Sequence, residues 1–215
     1  MSPFTRWWSL PMLATALAVG PSAAAAAQTL YGAGAPPGAA YVRVFQATDA
    51  EGAGPLKLGS ARFEAPGRGS VTPYRPVSPD VYLVRSGGHS AEIIPRAERY
   101  YTVAFTGEGI RVIEDPAHTD PARAQLVLYN LSSLDQVDLR TADGKTLLIV
   151  PLAPGSVGRV TVNAVPVRLA VFALGAMLHL VRDPGLSRGS SYSTFVFEEN
   201  GRAEVLWAEA ALALD

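Results

Sequence analysis

The stretch Gln28–Thr48, QTLYGAGAPPGAAYVRVFQAT, separates the part of the chain that targets it from the part that folds. Its front, Gln28–Gly38, is rich in Ala, Gly and Pro and reads as an extended lead-in. Its back, Ala40–Thr48, sets Tyr41, Val42, Val44 and Phe45 around a single arginine and ends on polar residues, the composition of a β-strand. Arg43 lies between Val42 and Val44, so on a strand its side chain leaves from the face opposite theirs. Two environments satisfy that placement: solvent, or a carboxylate partner at an interface.

Upstream, residues 1–27 hold one basic residue (Arg6), an apolar run Leu10–Val19 interrupted by Pro11, and then PSAAAAAQ. This is the order of an export signal, with the cut expected between Ala27 and Gln28. The apolar run falls short of the roughly 20 residues a membrane-spanning helix needs. Cleavage leaves 215 − 27 = 188 residues, enough for one large domain or two small ones. No cysteine is present, which excludes disulfides, thiolate metal sites and a lipid-modified cysteine. An exported chain without disulfides must take its stability from packed cores. Removing Arg6 from 18 basic residues leaves 17 against 19 acidic ones, a net charge of −2 that argues against nucleic acid as a partner.

Downstream, short strands follow one another. Leu56–Glu64 and Val71–Tyr74 come first, then Val81–Arg85 and His89–Ile94 around Ser86-Gly87-Gly88, then Tyr100–Thr106 and Gly109–Glu114. Glycine takes positive φ without steric cost, so the Gly87-Gly88 pair predicts a hairpin. Strands at about ten-residue spacing with Gly and Pro between them indicate an all-β sandwich or barrel. Asp115–Pro121, DPAHTDP, carries two Asp-Pro pairs and reads as a stiff, exposed linker.

The chain then begins again. Ala124–Leu131 matches the first strand, and Val137–Thr141 and Lys145–Val150 flank Asp143-Gly144, a strong type I′ turn signal. Gly158–Asn163, Val167–Ala173, Met177–Val181, Tyr192–Phe197 and Ala203–Trp207 complete the series, with Leu206–Leu214 also suited to a short closing helix. Pairing Phe45 with Tyr129, Gly87 with Gly175 and Tyr100 with Tyr192 gives offsets of 84, 88 and 92, which grow slowly and in order. The expectation is a tandem duplication: an Ig-like or jelly-roll-like β-sandwich over residues 28–114, a linker over 115–121 and a second sandwich over 122–215.

Chemistry-bearing motifs are sparse. His89 adjoins a glycine turn, His118 falls in the linker, and His179 alternates within a strand. No serine lies in a Gly-x-Ser-x-Gly elbow. Glu114-Asp115, Asp120, Asp135 and Asp138 lack calcium-loop spacing, and the glycines of Gly32–Gly38 lack the Lys-Ser/Thr ending of a phosphate loop. Neither a catalytic residue, a metal site nor a cofactor is therefore assigned. Tyrosines concentrate in the first half, at 31, 41, 74, 82, 100 and 101, where they serve strand packing, sugar stacking or a protein interface. Tyr100 and Tyr101 are adjacent and must face opposite ways on a strand.

Three stretches carry a resemblance. Leu30, Tyr31, Gly32, Pro36, Gly38, Val42, Arg43, Val44 and Phe45 follow the opening of the mature alginate O-acetylation accessory protein F family, and Arg99-Tyr100-Tyr101-Thr102 and Thr141-Ala142-Asp143-Gly144-Lys145 match it further on. The chain resembles that family in order over nearly its whole mature length. The resemblance implies two β domains and a periplasmic, non-catalytic helper that binds polysaccharide O-acetyltransferases, and possesses a surface for the polymer itself as a secondary option. Tyr31, Arg43 and Tyr101 are the candidate interface anchors, since aromatic and Arg side chains concentrate binding energy. A stand-alone carbohydrate-binding or surface-adhesion module is the alternative from a different class.

The leader generates a first prediction. Mass spectrometry of the exported protein should show a chain that starts at or within a few residues of Gln28. Recovery of intact Met1 in the membrane fraction would refute the cleavage.

Overall fold

Residues 36–48 and 55–213 are described by the structure, a computed structural model; residues 1–27, expected to be an export signal, and Tyr31 lie outside them. The first strand, β1 (Ala40–Gln46), is buried on both faces. Val42 and Val44 enter the core of their own half, while Phe45 enters a second core on the opposite side. A strand in the middle of a stack reads as a nearly continuous apolar run, which is why β1 shows no clean in-out alternation.

Eight more strands complete the first half: β2 (Leu56–Leu58), β3 (Ala61–Phe63), β4 (Ser70–Val71), β5 (Arg75–Val77), β6 (Tyr82–Ser86), β7 (His89–Ile93), β8 (Tyr100–Thr106) and β9 (Gly109–Asp115). The second half holds β10 (Ala124–Asn130), β11 (Val137–Thr141), β12 (Leu147–Leu152), β13 (Val157–Val162), β14 (Leu169–Ala173), β15 (Ala176–Val181), β16 (Ser191–Glu199) and β17 (Arg202–Glu209). The expected all-β architecture is what forms. Two local expectations change. Leu56–Glu64 is a hairpin and not one strand, because Gly59 turns the chain with φ 60°. Leu206–Glu209 belongs to β17 and not to a helix, paired along its length with β16.

Both halves share one topology. In the first sheet β1 lies parallel to β8, with β4 and β5 antiparallel on its other edge and β9 antiparallel beyond β8. In the second, β10 lies parallel to β16, flanked by antiparallel β13 and β17. A parallel pair needs a long crossover, and in each half most of the intervening strands (β2, β3, β6 and β7; β11, β12, β14 and β15) form it outside the principal sheet, while β4, β5 and β13 return to that sheet's edge. The duplication is therefore built into the sheets.

Register refines the equivalences by one residue. Val42 faces Tyr101 and Leu126 faces Tyr192, so 126 − 42 = 84 goes with 192 − 101 = 91: the counterpart of Tyr192 is Tyr101, not Tyr100. Their hydroxyls agree. Tyr101 accepts from the Arg96 amide at 3.1 Å and Tyr192 from the Ser187 amide at 2.9 Å, each five residues upstream, in the manner of the tyrosine corner of β-sandwiches. The turns agree too. Gly87 and Gly88 have φ 57° and 83°, Leu174 and Gly175 have 49° and 81°, which aligns Gly175 with Gly88. A one-residue slip on a strand moves a side chain to the other face, so the correction decides where each tyrosine points.

The two principal sheets pack against each other. Phe45 stacks on Phe195 with centroids 4.3 Å apart, Phe195 stacks on Tyr129 at 4.5 Å, and Phe197 meets Phe45 edge-on at 5.3 Å. Ala104, Val127 and Leu131 complete this shared core. At the far end of the chain, the Tyr74 amide donates to Ala211 O and the Ala213 amide to Tyr74 O, both at 2.8 Å, and Arg68 pairs with Glu199 across the halves. The segment 115–121, expected to be a stiff, exposed linker, is held at several points. Asp115 is the buried last residue of β9, Gln125 Nε2 donates to Pro116 O at 3.0 Å, and Arg159 Nη1 donates to Ala117 O at 3.4 Å. Asp-Pro composition sets backbone shape, and it does not reveal that a carboxylate has a partner waiting in the core.

A core shared between halves should couple their unfolding. Phe45→Ala is expected to destabilise by about 3–5 kcal/mol, the range for buried Phe truncation. Thermal unfolding followed by near-UV and far-UV dichroism should stay a single coincident transition at lower temperature. A second-half transition left at the wild-type temperature would show that the halves are energetically independent.

Candidate functional site

The first place where the sequence concentrates chemistry in space is the contact between the halves, and Arg43 is its centre. The side chain is 2% exposed. Its Nε donates to Thr102 Oγ1 at 2.8 Å, and its Nη2 donates to Tyr129 OH at 2.9 Å and to Ser193 Oγ at 3.0 Å. Its carboxylate partner is Asp115, with Nε 3.8 Å from Oδ2. Two hydroxyls bridge the ions. The Thr102 hydroxyl donates to Asp115 Oδ2 at 2.6 Å, and Tyr129 donates to Oδ1 at 2.9 Å. Tyr74 is a third donor to the carboxylate, at 2.7 Å from Oδ2, and its ring lies 4.6 Å from the guanidinium carbon.

Each element delivers its residue for a reason given by strand geometry. Arg43 and Thr102 are register partners on β1 and β8, on the face opposite Val42, Val44, Tyr101 and Val103. Tyr129 and Ser193 come from the matching outer face of β10 and β16. Burial pushes the Tyr74 hydroxyl well above its ordinary pKa, with Arg43 lowering and Asp115 raising it. Burial likewise raises Tyr129, and the nearby Asp115 adds to the effect. Both phenols therefore stay protonated and act as fixed donors. Taking two ions out of water costs several kcal/mol each, and only a nearly complete set of hydrogen bonds repays it. This set is nearly complete and closed to solvent: Thr102 is 0% and Ser193 1% exposed. Chemically, the cluster holds the halves in one arrangement.

Two of the three expected anchors, Arg43 and Tyr101, fall elsewhere than a surface. Arg43 is interior, resolving its two possible environments in favour of a carboxylate at an interface, although that interface is internal. Tyr101 is buried in its own half with its hydroxyl on the Arg96 amide. So placed, it does not face an outside partner; in the sequence, adjacency with Tyr100 shows that the two differ in face without showing which is inward. Tyr100 is the half-buried one, stacked on Tyr41 at 4.8 Å and edge-on to Tyr74 at 5.3 Å. Tyr31 lies outside the described residues. Sequence reading overlooked Asp115, Thr102, Ser193, Tyr74 and Tyr129. One signal was available: an arginine in an apolar strand requires a buried acid, but Glu108 and Glu114 precede Asp115 after the Thr102 motif, and nothing in the sequence singles Asp115 out among them.

The histidines are spread apart. The His89 ring packs against Gly109, His118 Nε2 lies 3.0 Å from Arg123 O, and His179 is exposed opposite Val171 on β15. Two surface features remain. A cleft of about 540 Å³ opens beside the junction between Arg99, Glu114, Thr119 and Arg159. A second, of about 290 Å³, opens in the first half between the β2–β3 hairpin and β6.

These features define a class: a duplicated all-β protein whose halves are joined through a shared core and a buried ion pair. A family model described as "Alginate O-acetyl transferase AlgF" matches residues 14–197, and the chain belongs to that family. It is similar to alginate biosynthesis protein AlgF of Pseudomonas putida, 28% identical over 191 residues covering 88% of this chain and 87% of that protein. The Pseudomonas aeruginosa protein of the same name is 28% identical over 219 residues and is covered in full. A solved C-terminal domain of AlgF from P. aeruginosa is 30% identical, with a TM-score of 0.38, and matches 41% of this chain and 98% of its own.

Removing both ions of the junction should cost less than the sum of removing each alone. Arg43→Met and Asp115→Asn are each expected to destabilise by about 3–5 kcal/mol. The double variant should lie well below the sum of the two, as coupled sites do. Strict additivity in denaturant titrations would show that the pair is not an interacting unit.

Proposed function

We propose that this protein is a periplasmic accessory protein in the O-acetylation of alginate or a similar exopolysaccharide, and that it works by holding acetyltransferase partners rather than by transferring acetyl itself. Family membership supports the process: the matching family is named for alginate O-acetylation and the relatives for alginate biosynthesis. The family's description speaks of a transferase, so the division of labour rests on geometry. Acyl transfer needs a nucleophile with a base in reach and donors for the oxyanion. The serine hydroxyl of the junction, Ser193 Oγ, is buried and accepts from Arg43, a group that cannot serve as a base. His118 and His89 lie against a backbone carbonyl and a glycine.

The single observation that carries the adaptor reading is the junction itself. A buried ion pair and an aromatic stack spend the inner faces of both halves on each other, leaving a rigid body whose outer layers present surface. The carbohydrate-binding alternative finds less support, because the most prominent tyrosine pair, Tyr41 and Tyr100, stack on one another and not outward as a platform.

A deletion strain tests the reading. Polymer should still be made and should carry little acetyl, while the pure protein releases no acetate from model acetyl esters. Normal acetylation without the gene sinks the accessory role, and ester turnover by the pure protein sinks the non-catalytic one.

A further inference from the structure

The two halves differ in one respect that their shared topology makes conspicuous. In the second half the outer layer is one continuous sheet, β12–β11–β14–β15, in which β11 and β14 are joined from Val137↔Ala173 to Thr141↔Leu169. In the first half the corresponding hairpins are separate. Among the described residues β2 pairs only with β3, and β6 only with β7. The hairpins touch at one end, where a Cβ on Gly59 would come within 3.1 Å of the Tyr82 hydroxyl. Away from that contact they part, and the 290 Å³ cleft opens between Leu56, Lys57 and Glu64 on one wall and Leu83, Arg85 and Ser86 on the other. Its floor is apolar and buried: Val44, Phe63 and Phe105.

The wall formed by β6 is a free strand edge. Ser86 and His89 close a two-residue turn whose glycines both have positive φ. In such a hairpin the closing pair is hydrogen-bonded and bonded pairs alternate, so Ser86, Val84 and Tyr82 turn their amides and carbonyls toward β7. Leu83 and Arg85 turn theirs toward the cleft. Leu83 is also 53% exposed, and Val81 and Ile94 beside it are 57% and 58% exposed. Unpaired edges above an apolar floor are what strand addition uses: main-chain bonds supply affinity and alternate side chains supply specificity.

We propose that this cleft is a strand-addition slot, in which an extended segment of a partner protein pairs with the Leu83–Arg85 edge of β6. The segment would place an apolar side chain over Val44, Phe63 and Phe105 and carboxylates toward Lys57 and Arg85, the two cations on facing walls. The inference rests on the adaptor reading and gives it a location. An extended acidic-apolar peptide is favoured over a sugar chain because the slot offers backbone donors and acceptors in strand register over a floor of aliphatic and aromatic carbon.

The test uses the full mature chain and the purified periplasmic part of an exopolysaccharide O-acetyltransferase from the same organism. Amide exchange at Leu83 and Arg85 should be fast in the free chain and slow in the complex, while Val84 and Ser86 are protected in both. Leu83→Pro removes a cleft-facing donor and leaves the bonds to β7 in place, and Arg85→Glu reverses a charge without touching the backbone. Each should weaken binding at least tenfold with an unchanged melting transition. If Leu83→Pro fails to fold, Arg85→Glu and the exchange pattern still decide. Wild-type binding with affinity unchanged in a folded variant, or with no new protection at Leu83 and Arg85, overturns the slot and leaves the adaptor reading standing. Protection of those amides in the free chain, whether from its own segment or a second copy, also overturns it. No binding by the wild-type chain sinks the adaptor reading and the slot with it.

Discussion

The ion pair between Arg43 and Asp115 is the constraint on which the arrangement of the halves depends. An arginine at the centre of a strand buried on both faces admits few solutions, since an unpaired buried charge is far more costly than any single contact it makes. Here a carboxylate from the end of β9 approaches the guanidinium, and Thr102 and Tyr129 stand between them as relays that accept from one ion and donate to the other. Because Tyr129 and Ser193 belong to the second half, the first half cannot satisfy its own arginine alone. Association of the halves is thus a condition of burying Arg43, and the Phe45–Phe195–Tyr129 stack beside it supplies apolar area to the same contact.

The same arrangement explains the odd strand patterns. β1, β10 and the first seven residues of β16 are buried almost throughout, as befits inner layers of a stack. By contrast β6 and β12 expose alternate or paired residues, as outer layers do. Duplication followed by back-to-back packing converts the exposed face of each principal sheet into an interface. Phe45 and Tyr129, equivalent by the offset of 84, meet there on either side of Phe195.

Much of this was legible in the chain. Strand positions follow Gly and Pro punctuation closely, and the ordered offsets announced the repeat because equivalent turns and aromatics survive in both copies. What stayed hidden was facing and partnership. Tyr100 and Tyr101 alternate by geometry, yet which of them is inward depends on register with β1, a long-range property. Asp115 looked like linker because the Asp-Pro pair it belongs to constrains the backbone and says nothing of the buried guanidinium it meets. The three-residue strands β2 and β3 were read as one because the residues around Gly59 are as strand-like as any; only the positive φ distinguishes a turn. The anchors Arg43 and Tyr101 were chosen on residue type, and residue type is the same for an internal interface as for an external one.

Internal symmetry also says where evolution has room to make the halves differ. The inner sheets are tied to each other by the ion pair, the aromatic stack and the Tyr74 bridge, so a change there must be answered across the contact. The outer layers answer only to their own half. It is in them that the copies diverge: β11 spans five residues and joins β14, while its counterpart β2 spans three and, among the described residues, pairs only with β3. Shortening a strand in this way loses sheet bonds and leaves main-chain donors facing a cleft, a loss of stability with no return to the fold itself. In a protein without disulfides to make up the difference, an open edge over a buried apolar floor is better accounted for by something it receives than by anything it supports.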